Sequence, residues 1–444
     1  MKKRNVAAVL LCVIGGIALV SLPILLSHSR TEESFKNYRK KYSLDEWKTI
    51  ETSSFLPLNE VEYPEEEYRK EEVEDRYRTA VDDFALKIYN RLSPQKSNFS
   101  FSPLSLYANL DTISLTSSDE VATSEFDSLL GLPFEIRNEN FFKMYRTDWY
   151  LNENGSMKMH NGVFFTDKYR VNGSVVDKLT ARYAEAYQMD FLNETAIENM
   201  LSWVDNKMGK TGFIDEKELD IDKKTALMYL TTLYFSNRWH SVFNASMNYT
   251  DLFYGAEKNE QVTYMQHTYV GNIYDYGDYI SFYDMYSNGA KIKYLIPKSL
   301  DDDIDSLIED VRFLREDEET TPYSKIIDLS VPKFTSEVQC DFTETLKAEG
   351  LTRVFDDNYP SLNDAFVDAD DVNVYLEYVR QKNRISFDED GTKIESLTFS
   401  MGGMKSTSVI DEETIEIKLN QPFVYIIYDS NDLPIYIGKV DQAN

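Results

Sequence analysis

Strand-like apolar segments recur from about residue 160 to the C-terminus, and they do not alternate regularly with helices. Eight segments have the length and the aliphatic and aromatic composition of strands: residues 161–165, 228–235, 291–296, 326–334, 372–379, 415–419, 423–428 and 434–440. Their spacing fits no repeated βα unit, and nothing repeats at a constant period. The pattern therefore predicts one large α+β domain with a mixed sheet.

Helical periodicity is clearest just before these strands. Apolar residues from Val81 to Leu92 recur at spacings of three and four, which predicts an amphipathic helix that ends before Pro94. The same criterion predicts helices at residues 174–187, 197–208 and 342–349.

The first thirty residues differ from the rest of the chain. Lys2, Lys3 and Arg4 precede residues 6–26, an apolar run without a charge. At about 1.5 Å per residue such a run can cross roughly 30 Å of hydrocarbon as a helix. The basic flank predicts that the rest of the chain is extracytoplasmic and membrane-anchored through this run. A cleaved signal peptide, with secretion of the domain, is the alternative.

Residues 28–75 are rich in charged side chains and poor in aliphatic ones, which is typical of a weakly helical or disordered spacer. The chain is therefore expected to have three parts. These are a signal-anchor or signal peptide over residues 1–27, a charged tether over 28–75, and a folded domain over 76–444.

Charge and cysteine content limit the partners of that domain. The net charge of −29 argues against nucleic acid, because a phosphate backbone needs a basic groove, and against a heparin-like activator. Cys12 lies in the apolar run, so Cys340 has no expected disulfide partner inside the domain. We expect a monomer stabilised by its core.

The sequence contains no convincing catalytic or metal-binding pattern. It lacks a Gly-x-Ser-x-Gly elbow, a phosphate loop, His-Glu-x-x-His and Cys-x-x-Cys. His160, His240 and His267 do not have the spacing of metal ligands. We therefore expect neither an enzyme nor a cofactor.

Six motifs occur in one order along the predicted domain. They are Asn98-Phe-Ser-Phe-Ser-Pro-Leu-Ser-Leu106, Trp203-Val204 with Thr211-Gly-Phe-Ile214, Leu233-Tyr-Phe-Ser-Asn-Arg-Trp239, Val331-Pro-Lys-Phe334 with Leu346-Lys-Ala-Glu-Gly-Leu-Thr-Arg-Val-Phe355, Asp388-Glu-Asp-Gly-Thr392, and Gln421-Pro-Phe-Val-Tyr425 with Ile437-Gly-Lys-Val440. In order and spacing they resemble the serpin family, in a prokaryote-like membrane-anchored or secreted member. The resemblance implies a large central mixed β-sheet, additional smaller sheets, about eight to nine helices and an exposed reactive-centre loop.

The resemblance also implies a function that needs no catalytic residue in this chain. A target endopeptidase of the serine class, and with less support the cysteine class, would attack the loop as a substrate and become acylated. The cleaved loop would then insert as an additional strand in the central sheet and distort the enzyme. The alternative is a non-inhibitory serpin-fold binding protein that is cleaved as an ordinary substrate.

The start of the loop has the alternation that insertion requires. After Glu389 and Asp390, Gly391 gives the hinge backbone freedom. One face of the following strand is uncharged, whereas the other carries Lys393 and Glu395. The uncharged face contains Thr392, Ile394, Ser396 and Thr398. Ile394 is bulkier than the Ala-like residues usual in inhibitory serpins, which favours the non-inhibitory alternative.

Family spacing, counted as fifteen residues from Gly391, places the scissile bond at Lys405–Ser406. A Lys side chain suits an acidic primary pocket, so a trypsin-like target is favoured. Residues 406–422 are a few more than usual, which leaves the register open. The alternative specificity residues, for chymotrypsin- or elastase-like enzymes, are Phe399, Met401 and Met404.

Five further residues match positions that the resemblance assigns to sheet opening. Ser102, Ser105 and Trp239 agree with the family, whereas Thr231 replaces an Asn and Gln381 replaces a His. Thr and Gln can still hydrogen-bond, so a polar network with different partners is expected. An effect of pH on opening through a histidine at this position is not expected.

Overall fold

The computed structural model describes residues 54–92, 98–209, 211–300, 302, 304, 314–315, 321–394 and 414–443. Within these ranges, none of the helices combines the length and the hydropathy that a membrane span requires. The apolar run at residues 6–26 and the predicted loop from residue 395 lie outside them.

Seven α-helices occur in the described part of the chain, against the eight to nine that the resemblance implies for the whole. They are α1 Asp75–Leu92, α2 Pro103–Ser114, α3 Glu120–Leu129, α4 Phe134–Thr147, α5 Gly173–Ala181, α6 Glu194–Met208 and α7 Thr343–Ala348. Local signals set several ends. The Ser102 side chain caps α2 by accepting from the Ser105 amide, and Gly209 ends α6 in the left-handed region.

The central sheet is mixed and eight-stranded. Its strands are β1 Phe55–Pro57, β3 Tyr150–Asn152, β4 Gly155–Thr166, β5 Ala184–Met189, β6 Leu227–Arg238, β12 Thr335–Asp341, β13 Arg380–Phe387 and β14 Gly391–Ile394. The spatial order is β1-β5-β4-β6-β14-β13-β12, with β3 paired to β4. Only the β4–β5 pair is parallel, which makes the sheet mixed as predicted.

The other strands form one nine-stranded sheet instead of several smaller ones. They are β2 Phe99–Phe101, β7 Tyr249–Tyr254, β8 Asn259–Asp275, β9 Tyr279–Met285, β10 Lys291–Pro297, β11 Tyr323–Pro332, β15 Thr414–Lys418, β16 Phe423–Tyr428 and β17 Pro434–Val440. The long strand β8 pairs with β7 near its start and with β9 near its end, so it joins what would otherwise be two sheets.

The core lies between the two sheets and the helices. The predicted apolar face of α1, including Val81, Phe84 and Leu92, is buried in it. Helix α2 packs against both β6 and β17 and so links the two sheets. Cys340 is buried, and its thiol donates to the Ser100 carbonyl at 3.7 Å.

The predicted helix at residues 174–187 is wrong beyond Ala181. Tyr183 has a positive φ of 57°, which a continuing helix does not allow. The chain then runs parallel to β4 as β5, because the amide and carbonyl groups after residue 183 pair across the sheet.

The predicted strand at residues 372–379 is also wrong, because strand pairing in this region begins only at Arg380. Its amides bond elsewhere: Leu376 N–H donates to the Val354 carbonyl, and Val374 N–H to the Asn363 side chain. The composition of this segment is that of a strand, but its backbone bonds to residues of two short 3-10 helices, Arg353–Phe355 and Asn363–Ala365.

The predicted tether ends earlier than residue 75. Residues 54–74, here called the N-terminal arm, pack on the domain, so the prediction of a weakly helical or disordered spacer is wrong for them. Strand β1 adds to the sheet edge at β5, and Leu58 and Val73 are buried. Aromatic side chains in the arm supply the apolar contacts that its few aliphatic residues do not.

Candidate functional site: the opening between strands β6 and β13

The central sheet is open between β6 and β13 over most of its length. Strand β6 pairs with β4 along Leu227–Asn237 on one edge, but on its other edge β14 covers only residues 235–238. Strand β13 pairs with β14 only at residues 386–387. In the described ranges, no strand pairs with the remaining length of either facing edge. We call the end at Arg238 the upper end and the end at Leu227 the lower end.

Residues 388–394, here called the hinge, occupy the upper end of the opening. The Asp388 side chain accepts hydrogen bonds from the amides of Asp390 and Gly391 and closes a tight turn. The Trp239 indole donates to the Asp388 carbonyl at 2.9 Å, and its amide donates to the Asp390 carbonyl. Trp239 is buried and stacks on Tyr286 with ring centroids 4.7 Å apart. Trp239 therefore fixes the hinge and also fills the core.

Gly391 and Thr392 fit the opening closely. A Cβ atom on Gly391 would lie 2.1 Å from the Asn237 carbonyl oxygen, so only glycine allows this approach to β6. Thr392 is fully buried, and its hydroxyl lies 2.6 Å from that of Tyr286. Ile394 lies opposite Phe235 in the ladder.

Glu389 anchors the turn from its solvent side. Its carboxylate accepts from the Lys333 ammonium at 2.8 Å and from the Asn248 amide. Burial alone would raise the pKa of Glu389, but these hydrogen bonds outweigh it and lower the pKa below the usual value. The carboxylate is therefore held ionised beside the hinge.

On the β13 side, Gln381 is bonded to the start of α2. The Ser102 amide donates to the Gln381 side-chain oxygen at 2.7 Å, and the Gln381 amide donates back to the Ser102 carbonyl at 3.1 Å. Asn383 also donates to the Gln381 oxygen. Ser105 is buried next to them, with its amide donating to the Ser102 hydroxyl.

On the β6 side, Thr231 belongs to a separate set of bonds. Its hydroxyl donates to the Asn161 side chain at 2.8 Å and accepts from Asn109 at 3.0 Å. The structure shows no side-chain hydrogen bond between Thr231 and Gln381, both of which are described. Each side of the opening is thus tied to α2 independently, and the two sides can separate without breaking a bond between these residues.

Below the hinge the opening forms two clefts. A narrow one of about 100 Å³ lies between residues 231–233 and 379–384. A wider one of about 570 Å³ lies between residues 227–230 and 372–380. The extended segment that has no strand partner therefore forms one wall of the wider cleft.

Helix α6 lies across the opening. Residues 211–226, here called the cover segment, follow α6 and also lie across the opening. Lys382 on β13 pairs with Glu218 at 3.0 Å, and Arg380 pairs with Asp220 at 2.6 Å. The Tyr378 hydroxyl donates to the Leu219 carbonyl. These contacts join a segment that precedes β6 to the strand on the far side of the opening.

The described residues contain only part of the predicted site. The structure brings together Glu389, Asp390, Gly391, Thr392 and Trp239 at the upper end, and it places Ser102, Ser105, Thr231 and Gln381 below the hinge. The remaining predicted site residues lie outside the described residues: Ser396, Thr398, Phe399, Met401, Met404, Lys405 and Ser406.

Sequence reasoning missed Tyr286, Lys333 and the pairs that hold the cover segment. Lys333 lies within the motif Val331-Pro-Lys-Phe334, but the motif does not identify its partner Glu389. The other residues lie in no recognised motif, and all these partners are 56 to 164 residues away along the chain. No local pattern could have identified them.

The comparisons with known proteins agree with this geometry. The family model described as "Serpin (serine protease inhibitor)" matches residues 79–443. Alpha-1-antiproteinase 2 of Equus caballus is 24% identical over 395 residues, which cover 85% of this chain and 89% of that protein. Neuroserpin of Homo sapiens is 23% identical over 395 residues, covering 81% and 90%.

Solved structures show the same fold. The thermophilic serpin tengpin in its native state aligns with a TM-score of 0.71 at 21% identity, covering 84% of this chain and 96% of that one. Thyroxine-binding globulin in complex with thyroxine aligns with a TM-score of 0.69 at 18% identity, covering 83% and 99%.

Proposed function

The chain belongs to the serpin family, and from that premise we propose that it inhibits endopeptidases of the serine class, with the cysteine class second. A trypsin-like enzyme cleaves the loop at Lys405–Ser406, and the cleaved loop inserts between β6 and β13. The observation that carries this proposal is the hinge, since β14 already pairs with both strands at the upper end of the opening.

The free edges below the hinge supply the driving force for insertion. Their amide and carbonyl groups can bond to a strand on both sides, and a strand there would bury the walls of the two clefts. Insertion requires the cover segment to separate from β13. Its ion pairs are partly exposed, with Lys382 and Glu218 18% and 26% exposed, and such pairs contribute only about 0–1 kcal/mol each.

The ladder register supports Lys405 over Phe399 and Met401, and it does not distinguish Lys405 from Met404. Ile394 lies opposite Phe235, so an uninterrupted continuation would bring Gly402 opposite Leu227, the last residue of β6. A loop cut after Lys405 would fill this edge and leave three residues to carry the acylated enzyme. A loop cut after Phe399 would end before the lower end.

The location follows from the N-terminal sequence. We propose an extracytoplasmic inhibitor, anchored through residues 6–26 or secreted if that segment is cleaved. The inhibitor acts as a consumed substrate and contributes no catalytic group.

The test is covalent trapping. Full-length protein incubated with trypsin should give a complex that survives SDS, because the acyl bond persists in the distorted enzyme. Lys405→Ala should abolish the complex with trypsin. The matched control is Lys87→Ala on the exposed face of α1, which should leave it unchanged.

A second measurement addresses insertion itself. Protein nicked in the loop should melt at a higher temperature than intact protein, because the inserted strand adds a ladder and buried surface. If every serine protease tried gives only a cleaved band, and the nicked protein melts no higher, inhibition by insertion is wrong.

The second candidate function is a non-inhibitory binding protein. One observation favours it: the cleft of about 570 Å³ falls in the size range of small-molecule sites. Cleavage without a trapped complex, together with a ligand that protects residues 372–380 from hydrogen exchange, would support this candidate.

A further inference from the structure

One tyrosine of the N-terminal arm contacts the central sheet beyond the β1–β5 pairing that holds the arm to the sheet edge. The Tyr63 ring stacks on Trp149 with centroids 4.5 Å apart and planes 2° from parallel. Its edge meets His160 on β4 at 5.2 Å, and the Lys207 ammonium lies 5.4 Å from the ring centre. Its hydroxyl donates to Glu185 on β5. We call this arrangement the Tyr63 site.

Glu185 joins three elements at the Tyr63 site. Besides Tyr63 from the arm, its carboxylate accepts from Trp203 at 2.7 Å and from Lys207, both on α6. Tyr187 supplies a fourth donor. These hydrogen bonds overcome the effect of burial and lower the pKa of Glu185 to about 2, so it stays ionised under mild acid. The arm thereby connects β5 to α6, which leads into the cover segment.

His160 is enclosed beneath the arm as a neutral imidazole. It is 7% exposed and packs edge-on to Trp149 at 4.9 Å, and its Nδ1 has no hydrogen-bond partner among the residues that the structure describes. Burial, followed by the charge of Lys207, lowers the pKa of His160 to about 3; Lys158 acts in the same direction and Glu185 opposes them. Tyr145 of α4 lies nearby, where it stacks on Trp149 and its hydroxyl donates to the Met159 carbonyl.

We propose that the N-terminal arm is an acid-released strap: it stays docked while His160 is neutral, and protonation of His160 drives Tyr63 out of its site. A charged imidazole would be enclosed by aromatic rings and would lie near the ammonium groups of Lys158 and Lys207. The one nearby carboxylate, Glu185, already accepts from four donors, so the new charge would be poorly compensated. Releasing the arm opens the site to water, which solvates the new charge.

The sign of the pH dependence follows from linkage. The pKa of His160 is lowered in the docked state. Docking is therefore strongest when the pH is above 6.5, the ordinary pKa of histidine, and it weakens as the pH falls below that value. The docking equilibrium should fall by up to about tenfold per pH unit over this range. Glu185 remains ionised there, so histidine protonation is the change that acts first at the Tyr63 site.

Release has a consequence for the opening. With the arm gone, α6 keeps its contacts to the sheet but loses its link through Glu185 to the arm, and β5 regains a free edge. Helix α6, which leads into the cover segment, is then less constrained. Docking and release do not depend on the proposed inhibitory function, whereas an acceleration of loop insertion at low pH does.

Hydrogen exchange on the full-length protein tests the release directly. The Leu58 amide donates to the Ala186 carbonyl at 2.8 Å and reports arm docking. After correction for the intrinsic rate, its protection should fall about tenfold between pH 7.5 and 5.5, while amides of β16 should stay protected. In His160→Gln the arm's protection should no longer depend on pH.

Two variants complete the design. His267→Gln removes another buried histidine, on β8 and outside the Tyr63 site, and should keep the wild-type pH dependence. Tyr63→Ala should expose the Leu58 amide at both pH values, which validates the readout even if His160→Gln folds poorly. Unchanged protection of wild type at pH 5.5, or an equal fall in His160→Gln, overturns the proposal. Neither result bears on trypsin trapping.

Discussion

The upper and lower ends of the opening are closed by different means. At the upper end, a hinge turn, an indole and a buried hydroxyl pair hold β14 between its neighbours. At the lower end, partly exposed ion pairs hold the cover segment across two clefts. Buried hydrogen bonds cost about 1–3 kcal/mol to leave unmade, whereas exposed ion pairs contribute about 0–1 kcal/mol. The difference teaches that residues 388–394 are held firmly at the upper end, whereas the cover segment is held more weakly at the lower end, where the proposed insertion would continue.

The largest effect should come from blocking the upper end with one methyl group. In Gly391→Ala the new Cβ would overlap the Asn237 carbonyl, so the hinge cannot pair with β6. The variant should be cleaved by trypsin without forming a complex, measured as the moles of protein consumed per mole of enzyme. A shift of about 1.4 kcal/mol between insertion and deacylation already changes this ratio tenfold.

The control for that variant is Gly277→Ala, which strains a turn with φ of 91° far from the opening. It should lower stability without changing the ratio. If Gly391→Ala still traps trypsin as efficiently as wild type, the hinge does not need to enter at β6, and the comparison of the two ends fails.

The next effect should come from Thr392→Val. The variant leaves the Tyr286 hydroxyl buried without its partner, which should reduce the free energy of unfolding by about 1–3 kcal/mol. Denaturant titration measures the loss. Thr250→Val, at an exposed position of β7, should stay within about 0.5 kcal/mol of wild type.

Glu389 should make the upper end sensitive to acid. Because its pKa is lowered in the folded protein, its contribution to stability is complete above the ordinary value of 4.5 and is lost as pH falls below it. Glu389→Gln should lose about 1–2 kcal/mol at pH 7 and little at pH 3.5, measured by denaturant titration. For Glu198→Gln, on the exposed face of α6, the difference in stability from wild type should be the same at pH 7 and pH 3.5.

The smallest effect should come from the lower end. A double-mutant cycle between Glu218→Gln and Lys382→Gln should give a coupling of about 0.5 kcal/mol or less. Trypsin should nevertheless be trapped faster by either variant, because the cover segment yields more easily. The Glu139–Lys143 pair on α4 is the matched exposed pair, and its removal should not alter trapping. If Glu218→Gln or Lys382→Gln trapped trypsin more slowly than wild type, the conclusion that the cover segment opposes insertion would be wrong.

Much of the fold follows from local pattern. The strands at residues 423–428 and 434–440 have the predicted bounds because continuous apolar runs between turn residues leave few other choices. The helix at residues 174–187 was mispredicted because a positive φ at Tyr183 is decided by pairing with β4. Residues 372–379 have strand composition, but their amides bond to the Val354 carbonyl and the Asn363 side chain, contacts that composition does not predict.

The site was harder to predict than the fold. Motif resemblance located Gly391 and Trp239, but the bond from the Trp239 indole to Asp388 joins residues 149 positions apart. The arm was mistaken for a spacer because charge dominates its composition, while its docking depends on Tyr63 and on Glu185, 122 residues away. Contacts of this kind become visible only once the topology is known.

The position of β1 gives the inhibitor a direction. Phe55 lies opposite Met189, which is level with the Leu227 end of β6, so β1 lies at the lower end of the opening and the hinge at the upper end. Strand β6 has twelve residues, or about 40 Å of extended chain. If the loop inserts fully, as proposed, an acylated enzyme would be carried from the hinge end of the domain to the end where β1 lies.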